Sequence, residues 1–465
     1  MGNRLGGHAV VIGGSLAGLL AARVLTDHFD SVTVLERDQI EAAPMLHKSI
    51  PQGNHLHGLL PGGQRAMSAL YPDLFSNLEK LGSVRCRLGR DFVVYLPNGR
   101  AYSFSGTVRK PRDLGIDFYQ QSRGLLEYCV RQCTVEYANV AFHADCSVHG
   151  VLSRGARVEG VRYSEDSEMR TLAADLVVDA GGRGSHAPRW LRELGFQAPA
   201  ETTIGVDLAY ASTYFRVPDD YDKRECLTAF DWPSPDSANT ETSANSAVME
   251  IIEGNIWHLT LAGRFGDYPP RDEAGFFAFA KSLHTPKLYE LIRNAERTYD
   301  ITTHRFPTSV RRHYEQLPTF PDGFMVLGDA IASFNPVYGQ GMSSAALQAE
   351  AFGKLLNVRA AQGGGLEGLA LAFFPKAAQV VADPWVLAGN VDLAYAKTQG
   401  DRPPDLKEQL AYVAAVDALT EDDAEINRLL WEVLCLCKPV AALFEEPVRS
   451  RALAEQRNHP AKYGL

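Results

Sequence analysis

The chain has 465 residues, more than one hydrophobic core ordinarily serves, so two or three domains are expected. Its 45% hydrophobic and 22% charged residues are the mixture of a soluble globular enzyme, and a net charge of −10 without a long Lys/Arg run makes nucleic acid and anionic membrane poor partners on electrostatic grounds. Seven cysteines with no CxxC pair read as free thiols in a reducing, cytoplasmic compartment rather than as a disulfide framework.

In chain order, residues 8–12 read as a short buried strand, 15–25 as a helix packed by small and apolar residues, and 31–35 as a second strand. This is a βαβ unit opening a parallel sheet. Gly13, Gly14 and Gly18 interrupt the apolar stretch after Arg4, so it does not read as an export signal. No uncharged apolar run approaches the ~20 residues of a membrane-spanning helix. The turn between first strand and helix is Gly13-Gly14-Ser15-Leu16-Ala17-Gly18, and Glu36 ends the next strand. Glycines there let backbone approach a pyrophosphate at the positive end of a helix, and the acid accepts from a ribose hydroxyl. Ser15 stands where GxGxxG has its middle glycine, which is tolerated only if its side chain points away from the phosphates. The Glu36-Arg37 pair disfavours the extra phosphate of NADP in this site, leaving NAD or FAD.

Further along, residues 62–70 read as a helix, and short strands at 92–96 and 101–104 flank an Asn98-Gly99 hairpin turn. A helix is expected over 121–136 and a buried strand over Leu176–Asp179, the latter followed by Ala180-Gly181-Gly182-Arg183-Gly184-Ser185 and Arg189. Between 203 and 303 the pattern turns strand-rich, at 211–217, 247–252 and 256–261. A polar tract over 233–245 cannot bury enough apolar surface to order itself and is expected to form a mobile loop.

A strand at 324–327 re-enters the first domain and delivers Gly328-Asp329-Ala330, then Asn335-Pro336-Val337-Tyr338-Gly339-Gln340-Gly341-Met342, before a long helix over 341–358. An Asp after a tight glycine turn can accept from ribityl hydroxyls, and the glycines leave room for an isoalloxazine ring. The helix aims its N-terminus at the flavin edge that gathers charge on reduction. This motif narrows the cofactor to FAD. The remainder of the chain is mostly helical, and the apolar stretch 429–444, broken by Glu432, Lys438 and Pro439, reads as a packed helix end, with a membrane-surface role as the lesser alternative.

The three motifs, in this order and spacing, resemble the class A flavoprotein monooxygenases with the para-hydroxybenzoate hydroxylase fold. The stretches 48–57, Ser122-Arg123-Gly124-Leu125-Leu126-Glu127 and 328–342 are similar to the bacterial polyether epoxidases and, more distantly, the squalene epoxidases. The resemblance spans roughly residues 8–395 and is specific for FAD rather than for substrate. It implies an α/β fold: a Rossmann-like FAD-binding domain with a parallel sheet, an inserted mixed or antiparallel β-sheet substrate domain, and a helical C-terminal segment. The expected FAD-binding parts are 1–80, 117–200 and 304–395, the substrate domain 81–116 and 201–303, and the helical segment 396–465.

Residue by residue, the resemblance puts Gly13, Ser15 and Gly18 at the pyrophosphate and Glu36 and Arg37 at the adenosine half, with Gly14, Ala17 and Lys48 as further cofactor-binding candidates. Arg123 would reach the pyrophosphate or ribose, with an i,i+4 salt bridge to Glu127 as its structural alternative. Ser147 and Val148 would offer backbone to the adenine and Asp329 would hold the ribityl-phosphate region, with Asp179 and Gly328 as further cofactor-binding candidates. Pro336, Gly339, Gln340, Gly341 and Met342 would border the flavin ring. His57, Tyr214, Phe230, Trp257, Phe334 and Tyr338 are candidate pocket residues, with Trp232 on the same wall, although ordinary packing explains the aromatics equally well. His55 and His57 lack a third ligand at metal-like spacing and read as structural histidines, with a polar lining near the flavin as the alternative, so no metal is expected.

No side-chain nucleophile is needed, because in this group reduced flavin captures O2 as a C4a-hydroperoxide. The expected reaction is hydroxylation or epoxidation of a large, mostly apolar secondary metabolite, with NADPH or NADH as transient donor or a separate flavin reductase supplying electrons. The alternatives are a reductase or dehydrogenase of prenyl-type double bonds, a non-catalytic flavoprotein, and a halogenase, which is disfavoured by the lack of a Trp-x-Trp-x-Ile-Pro element.

Overall fold

The computed structural model describes residues 4–40, 51–95, 101–103, 106–107, 113–221, 223–230 and 245–463. Lys48, the Asn98-Gly99 turn, Trp232 and nearly all of the polar tract lie outside the described residues.

The βαβ unit opens the chain as the spacing predicts: strand Gly6–Ile12, helix Leu16–Thr26, strand Phe29–Leu35. They belong to a five-stranded parallel sheet ordered Phe324–Val326, Leu176–Asp179, Gly6–Ile12, Phe29–Leu35, Val140–His143. A parallel sheet must be covered on both faces, and its Val10, Val11, Val32, Val34, Val177 and Val178 have no exposed surface. Small residues let the first helix lie close between this sheet and the long helix Gln340–Ala361; a Cβ added at Gly353 would stand 3.3 Å from Val24. A three-stranded antiparallel sheet, Cys146–Arg154, Arg157–Glu165 and Glu168–Ala173, flanks the unit and was not anticipated.

The strand-rich middle forms a mixed sheet of nine strands, ordered Ala332–Ser333, Thr302–Arg312, Glu201–Arg216, Ile256–Arg264, Ser246–Ile252, Cys226–Ala229, Phe92–Tyr95, Ala101–Ser103, Gly106–Thr107. Period-two alternation gives it two characters. Ala211, Phe215, Trp257, Leu259 and Leu261 pack on one face with Phe276 and Ile292 of the helices Glu273–Ser282 and Lys287–Ile292. Tyr210, Thr260, Ala262, Ser246 and Val248 occupy the other face, which borders a cavity.

The C-terminal helices Leu406–Leu419, Ala424–Leu434 and Val448–Asn458 build a separate cluster around Ala415, Ile426, Leu430 and Leu443. The apolar stretch 429–444 does end a helix: Leu434 closes it and Pro439 precedes a 3-10 turn, Val440–Phe444. Among the described residues no helix is long and apolar enough to cross a membrane.

Candidate functional site

The glycine loop is shaped by backbone necessity. Gly13 has φ +98°, and a Cβ at Gly18 would stand 1.8 Å from the Gly13 carbonyl oxygen. The Gly14 N–H donates to Glu36 Oε2 at 2.6 Å and the Asp38 N–H to Glu36 Oε1 at 2.9 Å, which fixes the acid at the loop. Helix Leu16–Thr26 begins at Ser15 without a side-chain cap, so its first N–H groups face the cleft. Ser15 Oγ turns sideways, donating to Glu127 Oε2 at 3.0 Å and accepting from Arg123 Nη2 at 2.9 Å. Arg123 also forms the buried i,i+4 pair with Glu127, at 3.1 Å. Arg123 thus makes its i,i+4 pair and is tied through Ser15 to the glycine loop.

Glu36 is buried and Arg37 exposed at the end of their strand. Val148 lies half-buried on the adjacent strand that starts at Cys146, whose N–H donates to the Glu36 carbonyl. Asp179 spends both carboxylate oxygens on its own turn, accepting from the Gly181 N–H at 2.8 Å and Ser185 Oγ at 2.7 Å, so it shapes the loop from beneath. Gly328 is pressed against the first motif: a Cβ there would stand 2.7 Å from that of Ala17. Asp329 follows, its carboxyl raised to about 6 by desolvation against the pull of Arg123 and Arg183. A Cβ on Gly341 would be 3.7 Å from Asp329 Oδ1. The structure thus gathers the first and third motifs, 310 residues apart by the numbers of Gly18 and Gly328, at one cleft.

The loop Pro336–Gly339 turns through Gly339 at φ +66°, then the long helix starts, again without a side-chain cap. Gln340 and Met342 are buried in its first turn, and Gln340 Oε1 has no partner among the described residues. A buried network missed by the sequence reading anchors this loop. Asp392, on helix Leu369–Ala394, accepts from Arg264 at 2.7 Å, from Tyr338 Oη at 2.8 Å and from Asn335 Nδ2 at 2.9 Å. Desolvation and the Asp392 carboxylate hold the Tyr338 phenol well above its ordinary range.

Residues 54–60 cross between sheet and long helix. The Leu56 N–H donates to Thr260 Oγ1 at 2.9 Å and the Leu60 N–H to Ser343 Oγ at 2.9 Å. His55 bonds Ser212 Oγ through Nδ1 at 2.7 Å, and His57 Nδ1 bonds the His55 carbonyl at 2.7 Å. Burial above all, with neighbouring histidines acting on His55 and the Arg123 guanidinium on His57, lowers His55 to about 3 and His57 to about 4, so both are neutral. Among the described residues, the side chains close enough to share a metal ion are His143, Cys146 and Glu165, far in sequence from these histidines, and Glu165 already pairs with Arg170.

Against Pro336–Gln340 opens a cavity of about 1170 Å3. Its floor is the nine-stranded sheet, and its far wall is made by Val413, Leu430 and Trp431 of the C-terminal helices. Of the candidate pocket residues, His57, Phe230 and Tyr338 line it. Three candidates do not. Trp257 points to the helix-covered face because strand alternation gives the cavity its neighbours instead. Tyr214 stacks on His258, with ring centroids 4.4 Å apart, and Phe334 is buried beside Trp385 in the parallel-sheet core.

No family model matches the chain. It is 33% identical over 359 residues to Protein Rv3254 of Mycobacterium tuberculosis, covering 76% of this chain and 73% of that protein. It is 26% identical over 352 residues to a kynurenine 3-monooxygenase of Salinispora tropica, covering 74% and 71%. Among solved structures, a flavoprotein/dehydrogenase of Cytophaga hutchinsonii superposes with TM-score 0.67 at 16% identity, covering 97% of this chain and 99% of that one. The flavin-dependent brominase Bmp2 gives 0.64 at 16% over 98% and 100%, and p-nitrophenol 4-monooxygenase PnpA of Pseudomonas putida 0.62 at 18% over 93% and 99%. The fold is that of the class A flavin-dependent monooxygenases and halogenases, and the chain belongs to the family of Protein Rv3254.

Proposed function

We propose that this protein is an FAD-dependent monooxygenase that uses O2 to hydroxylate or epoxidise a large, mostly apolar molecule. The observation that carries this reading is the cavity of about 1170 Å3 whose wall is the Pro336–Gln340 loop, the stretch assigned to the flavin ring. The kinship with proteins named as monooxygenases supports it.

The chain's own residues fit the cofactor. Two uncapped helix N-termini, at Ser15 and Gly339, face one cleft, glycines 13, 18 and 328 stand where a Cβ would collide, and Gln340 Oε1 is buried without a partner. Gly13 to Gly18 with Arg123 would hold the pyrophosphate, Glu36 the ribose, Asp329 the ribityl chain, and Gly339 to Met342 the ring edge. In this reading 1–80, 117–200 and 304–395 bind FAD, 81–116 and 201–303 carry the substrate floor, and 396–465 closes the cavity. Bound flavin, reduced by NADPH or NADH, supplies the oxygen activation. The protein supplies a dry wall, a loop locked by Asp392, and neutral histidines that add no charge beside the ring.

The deciding experiment is the visible spectrum of purified chain, followed through NADPH addition under nitrogen and then through air with heavy oxygen. Flavin bleaching followed by label in a hydroxylated or epoxidised product is expected. Protein that neither carries nor takes up FAD sinks the reading. Substrate reduced under nitrogen makes it a reductase, bromide-dependent turnover a halogenase, and flavin that never consumes NAD(P)H a non-catalytic flavoprotein.

A further inference from the structure

The floor of the cavity holds one residue that its surroundings do not explain. Glu250, on strand Ser246–Ile252, is 1% exposed, borders the cavity, and leaves Oε1 without a hydrogen-bond partner among the described residues. Strand register sets it in a row across the floor with His258 on one side, and Cys226 and Phe92 on the other. His258 donates Nε2–H to the Asn54 carbonyl at 3.2 Å, leaving Nδ1 buried and unpartnered in the same row. Around them the cavity is apolar, with Leu88, Val94, Phe118 and Val248. An unsatisfied buried polar group costs about 1–3 kcal/mol, and no contact within the described fold offsets it.

We propose that Glu250 is the polar recognition residue of this cavity, donating a hydrogen bond to the carbonyl oxygen of an otherwise apolar ligand of the ketone, lactone or amide class. Burial, with the like charge of Glu253, raises its carboxyl well above the ordinary range, so at neutral pH it carries a proton to donate. No salt bridge joins it to a cation among the described residues, and an ammonium ligand would have to ionise it against an apolar wall. A neutral acid bonding a carbonyl moves no charge.

Register also sets the length of the ligand. Tyr210, whose hydroxyl reaches Asn335 of the flavin loop, lies two strands away from Glu250 and four residues along. At strand spacings of about 4.8 Å and a rise of about 3.3 Å per residue, the two positions are roughly 16 Å apart. The recognised carbonyl and the reacting carbon should be separated by a chain of about that order.

This inference rests on the flavin reading only for calling the ligand a substrate; binding is tested without turnover. The probes are 2-undecanone, undecane and undecylamine, displacing Nile red from the full chain, with flavin content read on the same samples. In the wild type, 2-undecanone should displace about tenfold better than undecane and better than undecylamine. Glu250→Gln, which keeps a neutral donor, should retain that preference, and Glu250→Leu should lose it while melting no lower than wild type. Equal binding of ketone and hydrocarbon, a preference for the amine that Glu250→Gln abolishes, or a ketone preference surviving in Glu250→Leu would each overturn the proposal. Protein that binds no FAD yet keeps the ketone preference overturns the flavin reading and leaves this one standing. Flavin bound and reducible, with no dependence on residue 250, does the reverse.

Discussion

Ser15 shows how a departure from a motif acquires a reason at the level of single atoms. By sequence it weakens the glycine fingerprint, yet its hydroxyl is the hinge between the loop and the buried Arg123–Glu127 pair. Ser15→Gly restores the fingerprint on paper and should nonetheless loosen FAD binding, by the order of one hydrogen bond or about 1 kcal/mol, because Arg123 loses its tie to the loop. Flavin affinity measured by fluorescence quenching checks this, and tighter binding would refute it. The buried histidines carry a second prediction. His55 and His258 are held at about 3 and His57 at about 4, below the ordinary 6.5, chiefly by desolvation. Below about pH 6.5 the unfolded chain binds protons that the folded chain refuses. These groups therefore add stability that is fully present above that pH and is lost as pH falls toward 4, by up to about 1.4 kcal/mol per pH unit for each. His258→Gln keeps a donor for the Asn54 carbonyl and removes one titration. Its melting temperature should fall less steeply than wild type between pH 6.5 and 4.5, and parallel curves would count against the assignment.

Among the elements, those with strong periodicity were legible in the sequence and those defined by partners were not. The unit Gly6–Leu35, the strand Leu176–Asp179 and the helix Gln340–Ala361 follow from glycine punctuation and apolar runs, and differ from expectation only by a residue or three at their ends. The meander Cys146–Ala173 escaped notice because its strands are half-exposed and carry His149, Arg162 and Arg170 on an open face, which blurs the alternation. Trp257 was misplaced for a related reason: alternation shows that two faces differ, but not which of them the helices cover. The network on helix Leu369–Ala394 was likewise invisible, since Arg264, Asn335 and Asp392 meet only in the folded chain. That network should be costly to break from one side. Asp392→Asn leaves the Arg264 guanidinium buried without its counter-charge and should cost about 3–5 kcal/mol, with flavin lost as the Pro336–Gly339 loop loosens. The double variant Arg264→Met with Asp392→Leu should recover much of the stability but not the flavin, because Asn335 and Tyr338 still lack their acceptor. Urea midpoints and flavin content on both variants decide it; a double variant no more stable than the single would show that the ion pair was not the cause.

On the scale of the whole molecule, the C-terminal helices change what the cavity is. A sheet floor and a flavin loop alone would leave an open shelf; the helices Leu406–Leu419 and Ala424–Leu434 supply its far wall and hold themselves together through their own core around Ala415, Ile426 and Leu443. Composition announced only that this segment is helical, because a wall is a relation between distant parts of the chain rather than a property of its residues. Helix Leu369–Ala394 links the two ends, since it carries Asp392 under the Pro336–Gly339 loop and Val386, Leu387 and Asn390 into the cavity lining. The wall can therefore be altered without touching the cofactor cleft. Val413 is half-buried and lines the cavity from the helical side, remote in the chain from every residue assigned to FAD. Val413→Trp should fill part of the space, leaving flavin content and the rate of reduction by NADPH without substrate close to wild type. Displacement of Nile red by 2-undecanone should weaken by about tenfold or more, the order expected when a ligand loses its room in an apolar pocket. Flavin lost along with ligand binding would mean that the C-terminal helices hold the cofactor domain in shape rather than enclosing the substrate. Ligand binding left intact would place the apolar molecule on the open side of the sheet, away from the helical wall.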